Sequence, residues 1–112
     1  MFLGEYIHTI DAKKRLSIPT RLRKELGGTV VLTRGPDHCL FLYPQKTWEK
    51  IASKLSSLPL GQADSRRLLL LLFAGAVEVE FDQLGRILIP DFLKTYAGLS
   101  QKTAVVGVYD RL

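Results

Sequence analysis

Asp11 and Arg15 stand four residues apart, and Asp82 and Arg86 repeat that spacing 71 positions further on. The surrounding residues return in register. Asp11-Ala-Lys-Lys-Arg15-Leu16-Ser-Ile18-Pro19 is matched by Asp82-Gln-Leu-Gly-Arg86-Ile87-Leu-Ile89-Pro90. Two kinds of chemistry fit this pattern. A short loop lets an aspartate accept hydrogen bonds from nearby backbone N–H groups and pair with the arginine, which fixes the loop. An arginine at such a tip can also offer its planar fork to the O6/N7 edge of guanine in the major groove, which is wide enough for a two-stranded β-ribbon. Asp11 and Asp82 are therefore read as loop-structuring residues. Arg15 follows Lys13 and Lys14, and three cations at one hairpin end are tolerated chiefly where an anion is bound. These three are the candidate DNA contacts, with the lysines suited to phosphates. Arg86, preceded by Leu84 and Gly85, is the second-copy candidate.

Little else in the chain has catalytic potential. His8 and His38 are the only histidines, and the single cysteine, Cys39, follows His38 directly. Adjacent side chains on a turn leading into a strand point apart, which is a poor start for a nucleophile and base. No cluster has metal-ligand spacing, and no glycine loop suits a phosphate or dinucleotide. The expectation is a non-enzyme that needs no cofactor, no metal and no small-molecule substrate. Cys39 lies in an apolar run and reads as a core thiol that makes no internal disulfide.

Charge points to the same half of the chain as the lysines. Residues 1–58 carry ten Lys and Arg against five Asp and Glu, whereas residues 59–112 carry six of each sign, so the net +5 lies in the first half. A one-sided positive charge fits an anionic partner, nucleic acid being the commonest. The basic residues Arg21, Arg23 and Lys24 could add contacts to a phosphate backbone or simply be a solvated face. The longest apolar run, Leu68 to Ala74, is too short to cross a bilayer. The N-terminus has no basic region ahead of an apolar stretch. A soluble, cytoplasmic protein is expected.

The loops need elements to hold them. Glu5 to Ile10 and Leu16 to Ile18 read as strands flanking the first loop, and Ala76 to Phe81 and Ile87 to Ile89 flank the second. Gly85 supplies a residue able to take positive φ; the equivalent Lys14 would bear a left-handed cost of about 1 kcal/mol. Each hairpin leads into a short helix opened by proline and closed by glycine, Pro19 to Leu26 and Pro90 to Ala97. Strands follow at Thr29 to Thr33, Leu40 to Tyr43 and Thr103 to Val108. Trp48, Ile51, Ala52 and Leu55 line one face of a helix over Gln45 to about Leu55. A third helix, capped by Asp64 or Ser65, runs to Ala74. Its five consecutive leucines predict burial on more than one face. Repeats of roughly 40 to 50 residues are near the lower limit for an independent core, so the two are expected to share one. The second repeat reaches Asp110-Arg-Leu112, where the first goes on to a strand and helix. Apolar surface there is expected to be uncovered, or covered by another chain.

The runs Gly4 to Pro19 and Ala74 to Pro90, with Arg66-Arg67-Leu68 and Val105 to Asp110, resemble the MraZ family of bacterial transcriptional regulators. That resemblance implies two tandem AbrB-like swapped-hairpin units. It also implies ring-like oligomers whose loops engage short tandem repeats in DNA, at the family's own promoter and the division and cell-wall gene cluster. Arg15 would then be the main DNA-contacting residue, with Lys13 and Lys14 beside it and Arg86 as counterpart. The family usually has glycine where this chain has Lys14.

The combined expectation is an α+β fold in which the two repeats form a pseudo-twofold, β-barrel-like core with short helices. Residues 1–50 make the first repeat, 51–75 a connecting helical segment, and 76–112 a second repeat that is incomplete at its C-terminus. The function expected is sequence-specific regulation of transcription by a homo-oligomer on double-stranded DNA, in the cytoplasm at the nucleoid, commonly as a repressor. One five-residue loop has a small footprint, so several copies on one DNA would be needed. The rival reading is an antitoxin-like or scaffold module that uses the same fold to bind protein.

Overall fold

A computed structural model describes all 112 residues. The elements in chain order are β1 (Phe2–Thr9), β2 (Arg15–Ser17), α1 (Thr20–Leu26), β3 (Thr29–Arg34), β4 (Leu40–Pro44), α2 (Gln45–Ser56), α3 (Ala63–Ala74), β5 (Val77–Glu80), β6 (Arg86–Leu88), α4 (Asp91–Ala97) and β7 (Lys102–Tyr109). Prolines 19, 44 and 90 stand at the N-caps of α1, α2 and α4, and glycine follows α1, α3 and α4. Proline pre-sets the φ of a helix start, where its missing N–H is not needed. Local signals of this kind explain why the element boundaries follow the sequence so closely.

Three of the four strand pairings cross between the repeats. β1 pairs antiparallel with β7, from Phe2 opposite Tyr109 to Thr9 opposite Lys102. β5 pairs with β3, which also carries β4 on its far side. The second strands of the two hairpins pair with each other, with Leu16 opposite Ile87. The result is α+β, with separate sheets of two, two and three strands. The sheets do not close, so the expected barrel-like core is corrected to a set of open antiparallel sheets. The three-residue strands β2 and β6 are too short to carry a ladder around a barrel.

One core serves both repeats. Leu16, Ile18, Leu22 and Leu32 from the first pack with Ile87, Ile89, Leu93 and Val105 from the second, all buried. Burying each of these side chains contributes about 1.5–3 kcal/mol. The alternation along β5 holds, with Val77 and Val79 half-buried and Glu78 and Glu80 exposed. Helix α2 turns Trp48, Ile51, Ala52 and Leu55 inward, and Trp48 meets Tyr43 and Phe73 at ring separations of 5.6 and 5.8 Å.

Three expectations fail here. Helix α3 starts at Ala63, with Gln62 at its cap and no side-chain capping bond, so Asp64 and Ser65 lie inside it. Its leucines are not enclosed: only Leu72 is buried, while Leu70 is 66% and Leu68 42% exposed. The helix lies against the body on one side only, and a run of five leucines must turn some outward. Cys39 is exposed, its Sγ donating to the Pro36 carbonyl, because the turn before β4 swings it away from the core. Strand β7 has β1 on one side and no strand on the other. There a groove of about 440 Å³ opens among Leu32, Leu40, Phe41, Val105, Val108 and Leu112.

Candidate nucleic-acid interface

The two loops are built alike from backbone outward. The Asp11 N–H donates to the Arg15 carbonyl and the Lys14 N–H to the Asp11 carbonyl; Asp82, Gly85 and Arg86 repeat both bonds. This is a three-residue hairpin loop, a tight turn followed by one residue in left-handed conformation. That residue is Lys14 at φ 64° in the first loop and Gly85 at φ 76° in the second. Glycine reaches this region freely; lysine does so at a steric cost of about 1 kcal/mol.

The aspartates bind the loops together. Asp11 Oδ1 accepts the backbone N–H groups of Lys13 and Arg15, both at 2.9 Å, and Oδ2 accepts Arg15 Nε at 2.8 Å. Asp82 does the same for Leu84, Arg86 and Arg86 Nε, at 2.9, 2.9 and 2.7 Å. The backbone N–H of Arg15 is the main cause that holds the Asp11 carboxyl below the usual carboxylate range, opposed by desolvation and aided by the Arg15 guanidinium and the Lys13 N–H. The Arg86 N–H plays that part for Asp82. Both aspartates thus stay charged and acceptor-only, as their hydrogen bonds require.

The arginines are held rather than free. The Arg15 side chain is 31% exposed and Arg86 23%, each gripped through Nε. Neither Nη group of Arg15 has a hydrogen-bond partner within the chain, whereas Arg86 Nη1 lies 3.7 Å from Asp11 Oδ2 and bridges to the first loop. Lys13 is exposed. Lys14 Nζ is paired with Asp91 on α4 at 2.5 Å.

The loops also interlock. The Ile89 N–H donates to the Lys14 carbonyl and the Ile18 N–H to the Gly85 carbonyl, so the chain leaving each hairpin is bonded to the tip of the other. Hence α4 faces the first loop and α1 the second. Sequence reasoning joined each Asp to its own Arg but had no signal for this crossing. It also had no signal for Arg34. Arg34 donates to the Leu71 and Leu70 carbonyls at 3.1 and 2.8 Å, closing the C-terminal end of α3. Arg111, doubly bonded to Asp110, stacks at 5.0 Å over both Phe41 and Tyr43. Of the two arginines early in α3, Arg66 binds the Leu60 carbonyl and Arg67 pairs with Asp64.

With two equivalent clamps in place, the comparisons with known proteins decide the family. Residues 1–71 and 72–112 each match the family described as "MraZ protein, putative antitoxin-like", a division that agrees with the 71-residue spacing of the loops. The chain belongs to the MraZ family. It is 49% identical to the transcriptional regulator MraZ of Carboxydothermus hydrogenoformans and 51% identical to that of Moorella thermoacetica, over all of this chain and 78% of each relative. The transcriptional regulator MraZ of Desulforamulus reducens is 48% identical over all of this chain and 79% of its own length. These relatives are named as regulators, and the family is not one of enzymes. No helix of the chain is long and apolar enough to cross a membrane.

Proposed function

We propose that the chain is a sequence-specific, double-stranded-DNA-binding transcriptional regulator whose two loops enter the major groove. The observation that carries this reading is the clamp at Arg15. Its Nε is fixed on Asp11 while both Nη groups remain without a partner, so a donor edge is held ready at a hairpin tip beside exposed Lys13. Bidentate recognition of a guanine edge asks for such a pre-set guanidinium, and lysine suits the neighbouring phosphates. Arg86, gripped the same way and drawn toward Asp11, is the second-copy contact. Asp11 and Asp82 keep both loops in shape.

The crosswise strand pairing supports a swapped-hairpin, AbrB-like arrangement of two repeats, 1–50 and 76–112, joined through 51–75. Several copies of so small a loop are needed for specificity, which favours a homo-oligomer, such as a ring, on tandem short repeats. The family resemblance supplies the targets, its own promoter and the division and cell-wall gene cluster, and a place at the nucleoid.

Arg15→Ala tests the reading. Losing one good arginine–guanine contact weakens specific binding by about 1–3 kcal/mol. Retardation of the promoter DNA should be lost while the fold and the assembly size are kept. Unchanged retardation at matched salt would refute the role. The family's antitoxin-like description favours a second reading, a protein-binding module. Affinity for DNA that falls steeply with salt supports the first, and its absence the second.

A further inference from the structure

The two loops have the same backbone but differ in the charge beside their left-handed residues. At the first, Lys14 occupies that position and its ammonium is matched by Asp91. At the second, Gly85 has no side chain, and the space is filled from outside. A Cβ on Gly85 would collide with Nη1, Cζ and Nε of Arg23, whose guanidinium therefore lies directly against the loop. Arg23 comes from α1, in the other repeat, carried there by the bond from Ile18 to the Gly85 carbonyl. The guanidinium's only hydrogen bond is from Nη2 to Thr20 Oγ1 at 2.7 Å; Nε is buried without a partner, and no carboxylate pairs with it. In the repeat register Thr20 stands where Asp91 stands in the second copy. The acid that neutralises the first loop's lysine is thus absent at the second.

We infer that Arg23 is the phosphate-binding cation of the second loop, supplied across the repeat boundary in place of the side chain that Gly85 lacks. This rests on the DNA-binding reading and extends it. The second loop has Gln83 and Leu84 where the first has Ala12 and Lys13, and its Arg86 is committed to Asp82 and Asp11. Beyond Arg86, read above as the base contact, the loop has no cation of its own for a phosphate. An uncompensated guanidinium packed on its tip restores the charge that a phosphate backbone requires.

The test is affinity for promoter DNA and for unrelated duplex, measured across a salt series with the full chain. For Arg23→Ala the log–log salt slope should fall by about 0.9 for each second loop engaged, with binding to both DNAs weakened alike by about tenfold at one fixed ionic strength. Arg23→Lys should keep the wild-type slope. Arg23→Ala combined with Gly85→Lys should regain it, because Lys14 already occupies the same left-handed geometry. Thr20→Asp, which copies the Asp91 pairing and leaves Arg23 in place, should flatten the slope as Arg23→Ala does; it covers the case in which removing Arg23 unfolds α1. A wild-type slope in both Arg23→Ala and Thr20→Asp would overturn the inference while leaving DNA binding intact. Wild-type protein that retains no DNA at any salt would overturn the DNA reading and this inference together.

Discussion

Gly85→Ala and its reciprocal, Lys14→Gly, probe the same left-handed position in two settings, and the structure predicts unequal effects. At Gly85, φ is 76° and the added methyl meets the Arg23 guanidinium. Left-handed backbone costs a non-glycine residue about 1–2 kcal/mol, and displacing Arg23 loses its bond to Thr20, worth about 0.5–1 kcal/mol. Reduced freedom of the unfolded chain returns about 0.4–1 kcal/mol. The net loss is about 1–2 kcal/mol. At Lys14 the terms nearly cancel. Glycine relieves about 1–2 kcal/mol of backbone cost, but the exposed pair with Asp91, about 0–1 kcal/mol, goes, and the unfolded chain gains about 0.4–1 kcal/mol of freedom. Lys14→Gly should therefore lie within about 0.5 kcal/mol of wild type. In thermal unfolding of a chain this size, about 4 °C per kcal/mol applies. Gly85→Ala should then lower the midpoint by roughly 4–8 °C, and Lys14→Gly should barely move it. A Gly85→Ala midpoint equal to wild type, or an equal fall for Lys14→Gly, would refute the assignment of strain and packing at these tips.

Other outcomes follow from single contacts. Arg34→Ala removes two bonds to the end of α3 and a cation at its negative pole; urea denaturation should register a loss of about 1–2 kcal/mol, and amide exchange in α3 should rise most. Because Asp11 and Asp82 have folded-state pKa values below their ordinary ones, their contribution is present above the ordinary carboxylate range and is lost as pH falls through the lowered values. Carboxyl titration by NMR should place both below the ordinary aspartate value, and Arg15→Ala should move Asp11 upward. Cys39 is exposed, yet desolvation and the nearby Asp37 push its thiol up. Alkylation at neutral pH should therefore be slower than for a free cysteine, and a rate equal to the free amino acid would contradict this.

The clamps within the loops were the most legible part of the chain, because the bonds from each aspartate join residues at most four apart. Helix starts at Pro19, Pro44 and Pro90 and the left-handed demand at position 85 are likewise decided by local sterics. The strands at β3, β4 and β5 were found within a residue or so by their composition. What these local forces do not specify is which strand pairs with which. The pairing of β1 with β7 and of β2 with β6 joins residues far apart in the chain, and closing such loops is repaid only by a core shared between repeats. Leucine content likewise said nothing about which side of α3 would meet a partner.

Sequence alone determined the two clamps, the starts of the three proline-opened helices and the positive charge of the first half, because each depends on neighbours along the chain. Only the tertiary structure decided that each hairpin leans on the other repeat's helix, that Arg34 closes α3, that Cys39 faces solvent and that Arg23 lies against Gly85. Those contacts arise when distant segments bury their apolar faces together, and the polar groups carried with them must then find partners wherever packing has placed them.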